Sequence, residues 1–398
     1  MKVLHRAPLV VPVLSQPIED GAVLVENGVI VAVDRYAALQ GSAPVRDHQG
    51  KILTPPLANC HTHLELSHLG ALVGQERRAE EFTGWIRRLL EARANSDDDG
   101  LAAGQRQLTA FRQQGVAWLA DIGNLPTSHA CGADDLVRVW FFLEMLGLGR
   151  NRTELVLAQL DDIAGDCTAH APYSVSARLL QALKVRARQR GQLFPIHIAE
   201  SAAEIRFLHD GGGPLRDFVE ERGVWDNSFV PPGCGAVTYL DRLGMLDDRT
   251  VCVHCVHLTD EEIDLLAARS ARVCLCPASN RFLGVGTARV ARMLAAGLRP
   301  GLGTDSAASN PRLHLWEEMR ILHGEHPGID PAAIFRMATL NGARLLGVAN
   351  GGGMLAPGSQ AFLLAVEGED VTVRDVHDFL VAVGRDVRLA WIDGNEGK

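Results

Sequence analysis

The sequence predicts an α/β protein: a (β/α)8 barrel of the TIM type, with a small β-sandwich domain formed by both chain ends. Three observations carry this expectation. Both ends read as short β segments separated by turn signals, so one small domain can be built from the two termini. The middle of the chain alternates short apolar runs with longer stretches of helical spacing. There are eight such runs, and eight strand–helix units are what closes a barrel. The expected domains are therefore 1–51 with 353–398, and 52–352.

In chain order, Val23-Leu24-Val25, the turn Glu26-Asn27-Gly28 and the run from Val29 to Val33 form a hairpin signal, with Asn-Gly between apolar segments. The eight barrel strands are expected at Ile52–Cys60, Val116–Asp121, Val137–Glu144, Asp166–Ala171, Leu193–Ala199, Thr250–Val256, Ala271–Cys276 and Leu298–Thr304. Helical spacing marks Trp85–Ala94, Ala177–Gln189 and Asp260–Ala268 between them. Gly211-Gly212-Gly213 and Gly351-Gly352-Gly353 read as flexible joints. The tail returns to β character at Gln360–Val366 and Leu389–Ile392, after the turn signal Ala356-Pro357-Gly358-Ser359.

Composition excludes several functions. A chain of 398 residues with 47% hydrophobic content buries a large core and needs no cross-links to fold. Its net charge of −9 argues against nucleic acid as a partner, because phosphate backbones are met by clustered positive charge. No apolar run reaches the ~20 residues of a membrane helix, and Pro8 and Pro12 interrupt the only stretch that could pass for a leader. The eight cysteines are dispersed, most of them in apolar runs, as expected for reduced thiols in a cytoplasmic protein. The expected partner is a small-molecule substrate.

The chemistry of such a barrel sits at the C-terminal ends of its strands. The first expected strand runs into Cys60-His61-Thr62-His63-Leu64-Glu65. Residues two apart on a strand face the same way, so His61 and His63 present two imidazoles to one point. His197 and Glu200 follow the fifth strand, His254 and His257 the sixth, and Asp305 the eighth. Three histidines and an aspartate suit one divalent ion, zinc by ligand type, with iron as the alternative. Two other metal readings fare worse. Cys252-x-x-Cys255 with Cys274-x-Cys276 has ribbon-like spacing but lies inside apolar runs without turn glycines, where buried thiols are the simpler account. A binuclear site bridged by a carboxylated lysine lacks its lysine: none occurs in 52–183, and Lys184 falls in an expected helix.

At these residues the sequence resembles the amidohydrolase superfamily, in its mononuclear deaminase and chlorohydrolase branch. The resemblance spans nearly the whole chain. It rests on Leu53-Thr54-Pro55-Pro56-Leu57-Ala58-Asn59 before the paired histidines, His170-Ala171-Pro172-Tyr173-Ser174, Cys276-Pro277-Ala278-Ser279-Asn280, Gly301-Leu302-Gly303-Thr304-Asp305-Ser306 and Asn341-Gly342-Ala343-Arg344. It implies metal ligation by His61, His63, His197 and Asp305. It makes Glu200 the glutamate that takes a proton from water and hands it to the ring nitrogen. His254 matches the histidine that steadies the attacking hydroxide, and Asp305 the group that takes the second proton, which leaves with ammonia. Asn59-Cys60-His61-Thr62-His63-Leu64-Glu65-Leu66-Ser67 is most similar to the aminodeoxyfutalosine deaminases of menaquinone biosynthesis, which implies a 6-aminopurine nucleoside-like substrate, 6-aminodeoxyfutalosine. A different ring (adenosine, adenosylhomocysteine, a triazine) is the alternative within the branch. A non-catalytic binding protein on the same barrel is the alternative outside it. Barrels of this branch commonly form homodimers.

Substrate contacts are expected at Glu65, which faces the same way as His63 if the strand continues, and at His170, which ends the fourth strand. Glu144, Arg150, Ser279 and Trp85 are further candidates without a geometric argument, and His257 reads as a packing residue. Ser306 is expected to orient Asp305 or cap the next helix. One departure from the family pattern is Gly358-Ser359-Gln360-Ala361-Phe362-Leu363, where Gly-x-x-Ala-Asp-Leu is usual.

Overall fold

The computed structural model describes residues 2–74, 82–96, 100–127, 137–310 and 312–393. Five strands open the chain: β1 (Lys2–Val10), β2 (Ile18–Glu26), β3 (Val29–Arg35), β4 (Val45–Asp47) and β5 (Lys51–Thr54). Eight follow in the middle: β6 (Leu57–Thr62), β7 (Val116–Gly123), β8 (Arg138–Met145), β9 (Cys167–Ala169), β10 (Phe194–Ile198), β11 (Thr250–His254), β12 (Arg272–Leu275) and β13 (Gly301–Leu302). Two close the chain, β14 (Phe362–Glu367) and β15 (Leu389–Asp393).

The two ends of the chain meet in one hydrogen-bonded sheet of seven strands, ordered β15-β14-β5-β1-β2-β3, with β4 paired to β1. The β2–β3 hairpin turns at Asn27-Gly28, both with positive φ. Its inner face is an apolar cluster that includes Val10, Val23, Ile30, Leu53 and Leu363. Phe362, where the family usually has aspartate, packs edge-on against Trp118 of β7, with ring centroids 6.5 Å apart. It is an apolar contact between this sheet and the middle of the chain.

All eight middle strands fall where apolar runs were expected, with one correction. The run Ile52–Cys60 is two strands, not one. Pro55-Pro56 removes two ladder donors. The chain breaks there into β5, which joins the terminal sheet antiparallel to β14, and β6, which runs parallel to β7. The middle strands form two parallel sheets, β6-β7-β8-β9 and β10-β11-β12-β13. Backbone hydrogen bonds cross both gaps between the sheets. His197 N–H donates to His170 O (3.0 Å), and Thr304 and Asp305 N–H both donate to His61 O (2.9 and 3.0 Å). β7, β10 and β11 are buried along their whole length, as parallel strands covered on both faces should be. Helices Phe82–Ala94, Ala177–Arg190 and Asp260–Ala268 match the expected helical stretches.

The glycine triplets are tight rather than loose. Gly211 (φ 74°) closes helix Ala202–Asp210, and Gly213 opens Pro214–Glu221, so the first triplet is a shared cap between two helices. Gly353 (φ 75°) lies where an added Cβ would stand 2.6 Å from the Thr339 carbonyl. Packing, not freedom, selects glycine there.

The cysteines behave as apolar side chains. Cys60, Cys274 and Cys276 lie in one buried cluster with Ala58, Trp118 and Val253, and burial pushes the Cys276 thiol up to about 12. Every described cysteine is free; Cys131 lies outside the described residues. No described helix is long and apolar enough to cross a membrane.

Lys184 is buried in its helix, where its ammonium bonds the Asp247 carboxylate and the Thr250 hydroxyl, each at 2.7 Å. Asp247→Asn leaves this cation with a neutral partner. Because Asp247 is about a quarter exposed, the expected loss lies near the lower end of the ~3–5 kcal/mol typical of broken buried pairs. A lowered unfolding temperature with unchanged activity is the result that checks it.

Candidate metal centre and active site

Parallel strands of matched register deliver their last residues to one end of the sheets. His197 pairs with Val253, Ile198 pairs with His254, and Thr62 bridges Asp305. Ala199, His254 and Asp305 all adopt positive φ, so three strand ends turn sharply through the left-handed region at this one place. Such conformations cost energy and concentrate at functional sites. Gly303 makes the approach possible: a Cβ there would stand 2.8 Å from that of His61.

His61 Nε2 faces His197 Nε2 at 3.2 Å, and Asp305 Oδ1 lies 3.6 Å from His61 Nε2 and 3.5 Å from His63 Nε2. A tetrahedral ion with bonds of about 2.0–2.1 Å holds its ligands about 3.3–3.4 Å apart. The His61–His197, His61–Asp305 and His63–Asp305 contacts have nearly that spacing, so the residues fit a divalent cation. Their chemistry fits as well. Burial pushes His61 and His197 below the ordinary imidazole range and His63 down to about 3, so all three rings are neutral at pH 7 with lone pairs to offer. His197 Nδ1–H donates to His170 O at 2.8 Å, leaving Nε2 as the acceptor nitrogen that points at the cluster.

Burial opposes ionisation of Asp305, but contact with His61 and the neighbouring imidazoles outweighs it and holds the carboxyl well below the usual range. Its Oδ2 accepts from Ser279 Oγ (2.5 Å) and Ser309 Oγ (2.8 Å), which leaves Oδ1 directed at the imidazoles. This corrects the expectation for Ser306. Its hydroxyl meets Ser309 Oγ at 3.2 Å and reaches Asp305 only through it. Groups that orient metal ligands typically carry 10–100-fold in metal affinity. Ser279→Ala with Ser309→Ala should weaken metal binding by roughly that factor, read by titration against a competing chelator.

Glu200 ends the turn after β10, one residue before Ser201, whose hydroxyl caps helix Ala202–Asp210. It therefore precedes the helix rather than starting it. Glu204 Oε1 and Oε2 accept the Ala199 and Glu200 N–H groups, both at 2.9 Å, and fix this turn. Burial raises the Glu200 carboxyl to about 7, partly offset by His254. His254 Nε2 is buried without a hydrogen-bond partner, 3.6 Å from Glu200 Oε1, and its Nδ1–H donates to Asn280 Oδ1 at 2.9 Å. A buried acceptor nitrogen and a carboxyl pushed up to about 7 thus stand together beside the candidate ligand cluster.

These groups form the floor of a cavity of about 610 Å³. Its upper wall is apolar: Phe82, Trp85 and Ile86 from one helix pack with Phe218 and Val219 from another. Glu65 lines it, though not from a strand. β6 ends at Thr62, because Leu64 N–H donates to Asp121 Oδ1 and starts a 3-10 turn. Both Glu65 oxygens are engaged: Oε2 by the Asn124 and Leu125 N–H groups (2.9 and 2.6 Å), Oε1 by Arg93 (3.0 Å). His170 lines the cavity beside His197, its Nδ1 2.7 Å from Ser174 Oγ. Glu144 also lines it, its carboxyl pushed up to about 8 by burial and nearby acids. Trp85 presents its ring and donates Nε1–H to Ala308 O at 3.0 Å. Arg150 is not among the lining residues; its backbone N–H is held by Asp226. His257 bonds Val285 O, a packing role. Sequence reasoning misses Asn280, Ser309, Arg93 and the apolar wall apart from Trp85, although Asn280 stands inside one of the motifs quoted above.

The sequence profile of the Amidohydrolase family matches residues 52–396. The chain belongs to the amidohydrolase family. This amidohydrolase is 28% identical over 358 residues to the aminodeoxyfutalosine deaminase of Deinococcus radiodurans, covering 82% of this chain and 81% of that one. It is similar to an adenosine deaminase from Xanthomonas campestris solved with bound zinc (TM-score 0.75, 25% identity, 95% of this chain and 88% of that one). Its fold is also that of the aminofutalosine deaminase of Helicobacter pylori (TM-score 0.84, 23% identity, 99% of both chains). This amidohydrolase is accordingly a hydrolase acting on carbon–nitrogen bonds.

Proposed function

We propose that this amidohydrolase is a metal-dependent deaminase that releases ammonia from a 6-aminopurine nucleoside, with 6-aminodeoxyfutalosine as the first candidate substrate. The single observation that carries the reading is the approach of His197 and Asp305 to His61, and of His63 to Asp305, at near cation spacing beside Glu200 and the unpartnered Nε2 of His254. The deaminase names of the relatives and the largely apolar cavity support it. Zinc is the proposed metal, from the ligand types and the zinc in the Xanthomonas relative. We also read the two parallel sheets as one closed barrel over 57–352, since 52–54 belong to β5 of the terminal sheet, and the hydrogen bonds across both gaps support this.

His61, His63, His197 and Asp305 would hold a divalent ion, which when bound would lower the pKa of water from 15.7 to about 7. Everything else falls to the protein. Glu200 takes a proton from the attacking water and delivers it to the ring nitrogen beside the amino-bearing carbon, so that the ring can accept the electron pair of the new C–O bond. His254 Nε2 accepts a hydrogen bond from the attacking oxygen and holds it over the ring. Asp305 takes the remaining proton of that oxygen and passes it to the departing nitrogen. The C–N bond breaks, ammonia leaves and the carbonyl forms. The apolar wall seats the flat base and excludes bulk water.

The test is ammonia release across a panel of 6-aminopurine nucleosides that includes 6-aminodeoxyfutalosine, adenosine, 5′-deoxyadenosine and adenosylhomocysteine, with a chlorinated triazine as the outlier. Turnover confined to the purines supports the reading. Activity on the triazine alone, or on none, contradicts it.

A further inference from the structure

Glu144 is a buried polar group that the mechanism above does not use. It lies near the end of β8, and its Oε1 is buried without a hydrogen-bond partner. His197 Nδ1 stands 3.6 Å from it, and that N–H is already committed to His170 O at 2.8 Å. Glu65, the neighbouring acid in the cavity wall, is different, since Arg93 and two backbone N–H groups engage both of its oxygens. Glu144 lines the cavity while this oxygen goes unsatisfied, and a buried acceptor without a partner is costly and calls for a donor on the ligand.

The chemistry of the proposed substrate limits what that donor is. The ring nitrogens of a 6-aminopurine nucleoside are acceptors. Its exocyclic amine is the leaving group and must sit at the metal donors beside Glu200 and His254. The donors left over are the sugar hydroxyls. Placement agrees: Glu200 and His254 come from β10 and β11, whereas β8 stands two and three strands away in the ring of eight. A base whose amino edge meets Glu200 and His254 points its N-linked sugar away from them.

We propose that Glu144 accepts hydrogen bonds from the sugar hydroxyls of the substrate and makes the enzyme selective for ribonucleosides. This rests on the deaminase reading, and the experiment separates the two. Wild type, Glu144→Leu and Glu144→Gln are compared for kcat/KM on adenosine, 2′-deoxyadenosine and 3′-deoxyadenosine. Binding of inosine and its 2′- and 3′-deoxy forms is measured by calorimetry, with metal content determined for each protein. Wild type should prefer the ribonucleoside over at least one deoxy form by about 10²-fold or more, since sites built to bond a hydroxyl reject analogues that lack it. Glu144→Leu should bring the preference to within about threefold while keeping its metal, and Glu144→Gln, which retains an acceptor, should keep part of it.

Equal handling of all three nucleosides by wild type overturns the proposal without recourse to any variant. So does an unchanged preference in Glu144→Leu. Loss of metal from both variants overturns it too, by assigning Glu144 to the metal centre with His63 and His197. A ribose preference in inosine binding without ammonia from any aminopurine would remove the deaminase reading and leave the contact standing.

Discussion

Glu200→Gln retains its metal and loses about 10²–10⁴-fold in kcat, the range expected when a positioned acid–base group is removed. The substitution preserves shape and the ability to hydrogen-bond, so folding and substrate binding should change little. It removes the group proposed both to accept and to donate a proton. Glu204 holds the Glu200 backbone through its N–H, which lets the side chain change without moving the turn. KM within a few-fold of wild type, with kcat collapsed, is the expected signature of an interaction made only in the transition state. A variant that stays active would assign the proton transfer to another group and reduce Glu200 to a residue of the turn.

The second large effect is metal loss. Asp305→Asn and His61→Ala should bind metal far more weakly than wild type and fall to the background rate. Asn presents a neutral oxygen where an anionic ligand is needed. His61→Ala removes the imidazole that stands within 3.2–3.6 Å of both His197 and Asp305. Chelation of the wild-type protein should have the same result, reversed by added zinc. A chelated protein with full activity would break the link between these four side chains and turnover.

Much of this site is legible in sequence because its principal groups stand at or just beyond strand ends. His61 and His63 are two apart, so strand geometry alone brings both rings to one face. His197, His254 and Asp305 end or follow apolar runs whose burial marks them as parallel strands. What was not legible depends on where loops travel. Ser309 lies four residues past Asp305 and returns to bond its Oδ2, a contact no periodicity announces. Asn280 reaches His254 from a helix that follows a different strand. Glu65 shares the face of His63 only if the strand continues, yet a hydrogen bond from Leu64 N–H to Asp121 accompanies the end of the strand at Thr62. Pro55-Pro56 did mark the end of a strand, but an unbroken apolar pattern on either side hid the change from one sheet to another.

The most direct test of the central claim is anomalous X-ray diffraction from crystals of active enzyme, collected on either side of the zinc absorption edge. One peak is expected, within about 2.0–2.2 Å of His61 Nε2, His63 Nε2, His197 Nε2 and an Asp305 carboxylate oxygen. An active crystal with no peak at that point, or with the ion bound by other side chains, would contradict the account.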